Sequence, residues 1–275
     1  MRRTMLYLPG NNPNMLTRGY LFGSDGIILD LEDAVAMVEK DTARILVSKY
    51  LQQGEFGDCY VSVRINGIDT EYWKDDLAAI VPNKRLDGIR VPKVEDENTV
   101  KIIDEELSRL EEQNGLPVGK LSLHCLLETA HGIWNAYEIA KASPRIEAII
   151  PGGEDLRADL KTNRSDDSTE LEWARRMLVF AARAAGVEPL DTVFARITDD
   201  EGLRKETEFI KQLGFSGKSI IHPNQIKIIH DIFTPTEQEI AKAQKIIAAA
   251  KEAAARGQGA VTVDGKMVDI PVVKR

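Results

Sequence analysis

The sequence predicts an α/β protein built as a (β/α)8 TIM barrel, followed by a C-terminal helix and an extended tail. Three observations predict it. Short apolar, strand-like runs recur eight times. Segments of helical periodicity separate them. A polar or charged side chain closes nearly every run, as expected where strand ends form a catalytic rim.

Taken in order, the first run covers residues 4–8, stops at Pro9-Gly10 and leads to Asn11 and Asn12. The second, 26–31, leads into Asp30, Glu32 and Asp33. Strand alternation puts Asp30 and Glu32 on the face opposite Leu29 and Leu31. The third, 59–65, carries Arg64 and Asn66, and the fourth, 88–91, carries Lys93. The fifth, 121–127, is followed by Glu128, and the sixth, 146–150, by Glu154 and Asp155. The seventh is read at 192–197 with Arg196, and the eighth at 218–221 with His222 and Asn224. Helical segments are read at 38–51, 99–111, 134–142, 171–185 and 203–213, several of them stopped by glycine. An open doubly wound sheet usually has fewer strands and a glycine-rich phosphate loop after the first; "LPGNNPNM" is not that loop.

The C-terminal stretch is surplus to these repeats. It divides the chain into a barrel over residues 1–234 and a tail over 235–275 that packs on the barrel or on a neighbouring subunit. "TEQEIAKAQKIIAAAKEAAARG" is an alanine-rich helix with a Thr/Glu start and a glycine stop. "AVTVDGKMVDIPVV" reads as two short extended pieces joined by the hairpin signal Asp264-Gly265.

Composition narrows the function classes. Hydrophobic residues make up 43% and charged residues 29%, with a formal net charge of -8. That balance argues against a broad nucleic-acid surface while allowing a local phosphate pocket. Cys59 and Cys125 sit inside apolar runs and read as core residues rather than redox or zinc groups. The apolar run near the N-terminus is too short for a signal segment, and no run approaches roughly 18 apolar residues. A soluble, cytoplasmic protein without membrane contact is expected.

Carboxylates gathered on a half-buried rim are costly unless a cation neutralises them. With no His/Cys grouping beside them, the expected cation is Mg²⁺, with Mn²⁺ as the alternative, rather than zinc. Asp30, Glu32, Asp33, Glu128, Glu154 and Asp155 are the candidates. Each also has a plain reading as a solvated group, a helix cap or a partner of Arg64 or Lys93. Arg64 closes the apolar strand "CYVSVRI" and offers a fork for a substrate carboxylate or a developing enolate, or else a structural ion pair. The chain has four histidines. His124, His131 and His230 read as structural, His222 stays open, and no Ser-His-Asp or Cys-His arrangement follows from spacing.

Eight segments in order carry a family resemblance: "RRTMLYLPGNNPNM", "GIILDLEDAVAMVEKDTAR", "VRING", "IRVPKVE", "LLETAHGI", "GGEDLRADLKTNRS", "KQLGFSGKSIIHPNQI" and "DGKMVDIP". They resemble the citrate lyase β subunits, within the wider group of citramalyl-CoA, malyl-CoA and related lyases. "ADLKTNRS" and the Thr-Pro-Thr-Glu helix start look like the citrate lyase branch. Family members commonly have Gly-Ala-Glu-Asp where this chain has Gly-Gly-Glu-Asp.

The resemblance implies a Mg²⁺-dependent barrel that cleaves a carbon–carbon bond in a 3-hydroxyacyl thioester. In the citrate lyase branch, citryl thioester on a phosphopantetheine-type arm, or on CoA, gives oxaloacetate and acetyl thioester. Residue by residue it implies Glu128 and Asp155 as metal ligands and Arg64 as substrate-binding arginine. Glu32 and Asp33, with Asp30, hold water at the metal. Asp269, from the tail of a neighbouring subunit, is the acid/base. Asn11, Asn12 and Arg18 lie where the thioester arm runs. A homotrimer or larger oligomer is implied, with acyl-carrier and transferase subunits as partners. The competing readings are a stand-alone malyl-CoA or citramalyl-CoA lyase or thioesterase, and a non-catalytic scaffold subunit.

Overall fold

The computed structural model describes residues 2–274 as two compact units that divide between Phe233 and Thr234. Eight parallel strands close the first unit into a barrel in sequence order. They are β1 (Thr4–Pro9), β2 (Gly26–Asp30), β3 (Tyr60–Arg64), β4 (Gly88–Val91), β5 (Ser122–Leu127), β6 (Ile146–Pro151), β7 (Glu188–Asp191) and β8 (Gly217–Ile220). β8 pairs back onto β1, with Met5 beside Ser219. Between and after the strands run α1 (Pro13–Arg18), α2 (Lys40–Gln53), α3 (Trp73–Ile80), α4 (Glu97–Gln113), α5 (Ala130–Trp134), α6 (Ala136–Ala140), α7 (Gly153–Asp159), α8 (Glu172–Ala185), α9 (Asp200–Leu213) and α10 (Asn224–Phe233).

Period-two alternation divides each strand between two cores. Outward residues such as Leu6, Leu8, Ile27, Leu29, Val61 and Val63 pack against the helices. Met5, Ile28, Leu126, Ala148, Ile150 and Leu190 fill the barrel interior, with Tyr7 and Tyr60 packed on them. Cys59 and Cys125 are both buried free thiols.

The seventh strand departs from expectation. It lies at Glu188–Asp191, upstream of the apolar stretch "TVFARI" read as the strand. Only four residues long, it holds a proline and two acids, so it gives no apolar signal. Its charge is absorbed by partners: Asp191, fully buried, accepts from Arg175 Nε and Nη2 at 2.9 Å each and from Lys218 Nζ at 2.6 Å. Arg196 therefore does not close a strand; it sits in the following loop and bonds Asp199 at 2.9 Å. The helical segment read at 134–142 is also corrected. The Thr129 side chain caps α5 directly after β5, and Asn135 separates α5 from α6.

The second unit contains α11 (Glu237–Ala255), β9 (Val261–Val263), β10 (Lys266–Val268) and α12 (Ile270–Lys274). Thr236 and Glu239 form the capping box that starts α11. The antiparallel β9–β10 hairpin turns through Asp264 and Gly265 at φ 49 and 75°, the left-handed pair that a two-residue turn requires. Ala253, Val263 and Val268 are its buried contacts. The end of the tail is helical rather than extended: Asp269 Oδ1 accepts from Val272 N at 3.3 Å and Pro271 occupies the first turn.

Candidate active site

The carboxyl ends of the strands surround a cavity of 290 Å³ lined by Tyr7, Pro9, Asp30, Asp33, Arg64, Leu126, Glu128, Asp155, Thr192 and Ser219, among others. Register explains the convergence. Asp30 and Arg64 are paired positions on β2 and β3, both facing inward. Glu128 continues the inward face of β5 that carries Leu126.

Arg64 is the hub. Its Nε and Nη2 donate to Asp30 Oδ1 at 2.7 Å and Oδ2 at 2.6 Å, a bidentate lock. Its Nη1 lies 2.8 Å from Glu32 Oε2 and 3.4 Å from Asp33 Oδ2. Burial opposes the guanidinium charge, yet Asp30, followed by Tyr7 and Glu32, holds Arg64 firmly protonated. Asp30 is further committed to the backbone N–H groups of Glu32 at 3.0 Å and Ala34 at 3.3 Å. With both oxygens engaged, Asp30 positions Arg64 and has no oxygen left for a metal. Lys40 Nζ fastens the same loop by donating to the carbonyls of Leu31 at 2.8 Å and Glu32 at 2.7 Å.

The remaining carboxylates are differently placed. Burial pushes Glu32 up to about 8, against the pull of Arg64, with Glu128, Asp33 and Asp30 adding to the rise. Both Glu32 carboxylate oxygens are buried without a hydrogen-bond donor, because the contact with Arg64 is close in distance but not aligned. Glu128 is pushed up to about 7 by burial and then by Asp155, with Arg64 and the Lys93 N–H opposing. That N–H, 3.0 Å from Glu128 Oε2, is presented by a left-handed Lys93 backbone at φ 51°. Asp155, in the first turn of α7, is raised by burial and by Asp33. Glu154 is committed elsewhere, to Arg157 at 2.7 Å and to Arg164.

These residues fit a hard divalent cation. Glu128 and Asp155 face one cavity with no lysine or arginine in ion-pair contact among the described residues, and the buried Glu32 oxygens lack donors. No group of three or more His, Cys, Asp or Glu is gathered to hold a metal alone among the described residues. A site of two carboxylates completed by water and substrate oxygens matches both facts.

Other sequence candidates lie apart from the cavity lining. Asn11 Nδ2 donates to Glu39 at 2.6 Å, Asn12 caps α1 through Met15 N at 3.2 Å, and Arg18 is exposed at the end of α1. Asn66 is buried and bonded to Asp76 Oδ2 through N at 3.0 Å and Nδ2 at 2.7 Å. His222 Nδ1 accepts from Asn224 N. Asp269 belongs to the second unit. Sequence reasoning missed Tyr7 and Ser219, inward positions on otherwise ordinary strands, and Thr192, which lies just past the end of β7. Thr192 Oγ1 accepts from Gly153 N at 3.0 Å, tying α7 to the end of β7.

The family model described as HpcH/HpaI aldolase/citrate lyase matches residues 3–223. The chain belongs to that family. Among its relatives, the citrate lyase subunit beta of Leuconostoc mesenteroides subsp. cremoris is 46% identical over 275 residues, covering 100% of this chain and 91% of that protein. The (3S)-malyl-CoA thioesterase of Cereibacter sphaeroides is 38% identical over 267 residues, covering 97% of this chain and 89% of its own. The crystal structure of protein CitE from Mycobacterium tuberculosis, in complex with magnesium, acetoacetate and coenzyme A, aligns with a TM-score of 0.80 and 29% identity. That alignment covers 99% of this chain and 94% of the other. In this chain, acidic residues reach the barrel's rim at the end of β2, just past β5 and in the first turn of α7.

Proposed function

We propose that the chain is a Mg²⁺-dependent carbon–carbon lyase that converts citryl thioester, on CoA or on a phosphopantetheine-type arm, to oxaloacetate and acetyl thioester. The observation that carries the reading is the pair Glu128 and Asp155, two carboxylates facing one cavity near Arg64 with no lysine or arginine in ion-pair contact among the described residues. These two residues would hold the ion. When bound, Mg²⁺ supplies Lewis acidity to the hydroxyl and carboxylate oxygens of the substrate.

The chain's own groups do the rest. Asp33, on the cavity wall, takes the hydroxyl proton while Glu32 orients water behind it. As the carbon–carbon bond breaks, its electron pair passes to the acetyl carbon, and Arg64, immobilised by Asp30, meets the enolate charge. Asp269 of a neighbouring copy then protonates that carbon. Asn11, Asn12 and Arg18 border the route of the thioester arm. The chain works in the cytoplasm as the β component of a citrate lyase assembly, as a homotrimer or larger, beside acyl-carrier and transferase subunits. Among the described residues no helix is long and apolar enough to cross a membrane.

The test is to assay the purified chain with citryl-CoA, malyl-CoA and citramalyl-CoA, with Mg²⁺ and with chelator. Metal-dependent release of oxaloacetate from citryl-CoA is expected. Turnover of malyl-CoA with citryl-CoA untouched overturns the substrate assignment in favour of a thioesterase or lyase like the Cereibacter relative. Metal-independent turnover overturns the metal assignment, and no turnover of any thioester favours a scaffold.

A further inference from the structure

Arg90 occupies an inward position of β4 and is fully buried at the level of the apolar barrel interior. Its Nη1 donates to Tyr7 Oη at 3.2 Å and to Ser219 Oγ at 2.9 Å. Its Nε and Nη2 are buried without a hydrogen-bond partner among the described residues. The other buried guanidiniums and Lys218 are neutralised: Arg64 by Asp30 and Glu32, Arg145 by Asp104 and Glu111, Arg157 by Glu170, and Arg175 and Lys218 by Asp191. Among the described residues no carboxylate pairs with Arg90. His124, its register partner on β5, offers no negative charge. A buried guanidinium with two orphaned nitrogens is costly unless a counter-charge arrives.

The place where one can arrive is the cavity above. Tyr7 and Ser219, the two residues that hold Arg90, both line it. The Tyr7 ring carries Arg64 Cζ 4.8 Å from its centre and Arg90 Cζ at 5.4 Å. The cavity floor is therefore a pair of hydroxyls backed by an unneutralised cation.

We propose that Arg90 is a positioning residue that sets specificity. Through the Tyr7 and Ser219 hydroxyls it makes the cavity floor a receptor for a second substrate carboxylate, distinct from the one at the Glu128–Asp155 rim. The inference rests on the citryl thioester reading and deepens it. A citryl group has a carboxymethyl arm that a malyl group lacks, and oxaloacetate has a second carboxylate that pyruvate lacks.

The experiment titrates oxaloacetate and pyruvate calorimetrically, with Mg²⁺ present, into the intact chain and into its Arg90→Met, Ser219→Ala and Tyr7→Phe variants. Arg90→Met is expected to lose roughly tenfold in oxaloacetate affinity while pyruvate is held within about twofold, because only the first ligand loses a charge-backed contact. Ser219→Ala and Tyr7→Phe should move the same way by a smaller factor. The unliganded Arg90→Met chain should melt no lower than the parent, since it removes an unpaired buried charge. Equal loss for both ligands, or undiminished oxaloacetate binding, overturns the proposal. If Arg90→Met does not fold, the two hydroxyl variants decide by the same criterion. A parent chain that cleaves no citryl-CoA refutes the functional reading; one that cleaves it while the variants treat both ligands alike refutes the role of Arg90 alone.

Discussion

A Cβ placed on Gly152 would sit 2.3 Å from Glu128 Cγ and 2.7 Å from Glu128 Oε1. The glycine leaves the space that the carboxylate fills, so Gly152→Ala must push Glu128 away from the cavity. The expected result is a folded protein whose kcat/KM on citryl-CoA falls about 100-fold, the usual consequence of misplacing a reacting group by an ångström. Circular dichroism together with steady-state kinetics checks both halves, and undiminished kinetics would remove Glu128 from the metal site.

Arg64 and Asp30 make the second prediction. Arg64→Lys cannot reproduce two parallel bonds from one ammonium, so kcat should drop about 100-fold or more while KM changes little. Asp30→Asn leaves the buried Arg64 short of its main counter-charge and should destabilise the fold by about 3 kcal/mol. Urea denaturation of the two variants separates the catalytic loss from the structural one.

Metal binding should register as stability. A cation bound only by the folded chain raises unfolding free energy by about 2.7 kcal/mol at a concentration 100 times its dissociation constant. Thermal melts with and without Mg²⁺ should show that gain in the parent chain and its loss in Glu128→Gln and Asp155→Asn. A gain persisting in both variants would mean that the ion is held elsewhere.

The barrel's lower end predicts a pH dependence. Burial pushes the fully enclosed His124 down to about 4, with Arg90 and Arg2 adding to the effect and Glu147 opposing it. Its ordinary value is 6.5, so between those two values the unfolded chain binds a proton that the folded chain does not. Stability is lost as pH falls through that window, by about 3 kcal/mol at its lower end. His124→Gln removes this proton uptake. The gap between parent and variant stabilities, measured by urea denaturation from pH 7 to pH 4, should change by that amount; parallel curves would contradict it. Glu147, held down to about 2 by its contact with His124, then Arg2, stays ionised throughout.

Much of this was legible because two periodicities coincide. Apolar runs mark strands, and the polar residues at or just past the end of each run mark the rim, so Asp30, Asp33, Arg64, Glu128 and Asp155 are found together from sequence order. The seventh strand was misread because its outward residue is charged and its partners, Arg175 and Lys218, lie 16 and 27 residues away. Tyr7 and Ser219 were missed because an inward polar residue on a short strand looks like any other. Arg90 alone had a visible signal, a charge in the middle of "GIRV". Its meaning depends on the neighbours that barrel closure brings to it.

The charged strand β7 has one more consequence. Asp191 stands beside Lys218 in the β7–β8 register, and Leu190, its neighbour, points into the barrel. Sliding β7 by one residue would carry the carboxylate inward among Met5, Ile28 and Leu126 and strand two buried cations outside. With Glu206, 3.1 Å from Arg175 Nη2 and 2.7 Å from Lys218 Nζ, the quartet of Asp191, Arg175, Lys218 and Glu206 thus works as a proofreading device for assembly, admitting one closed barrel and rejecting its nearest misaligned competitor.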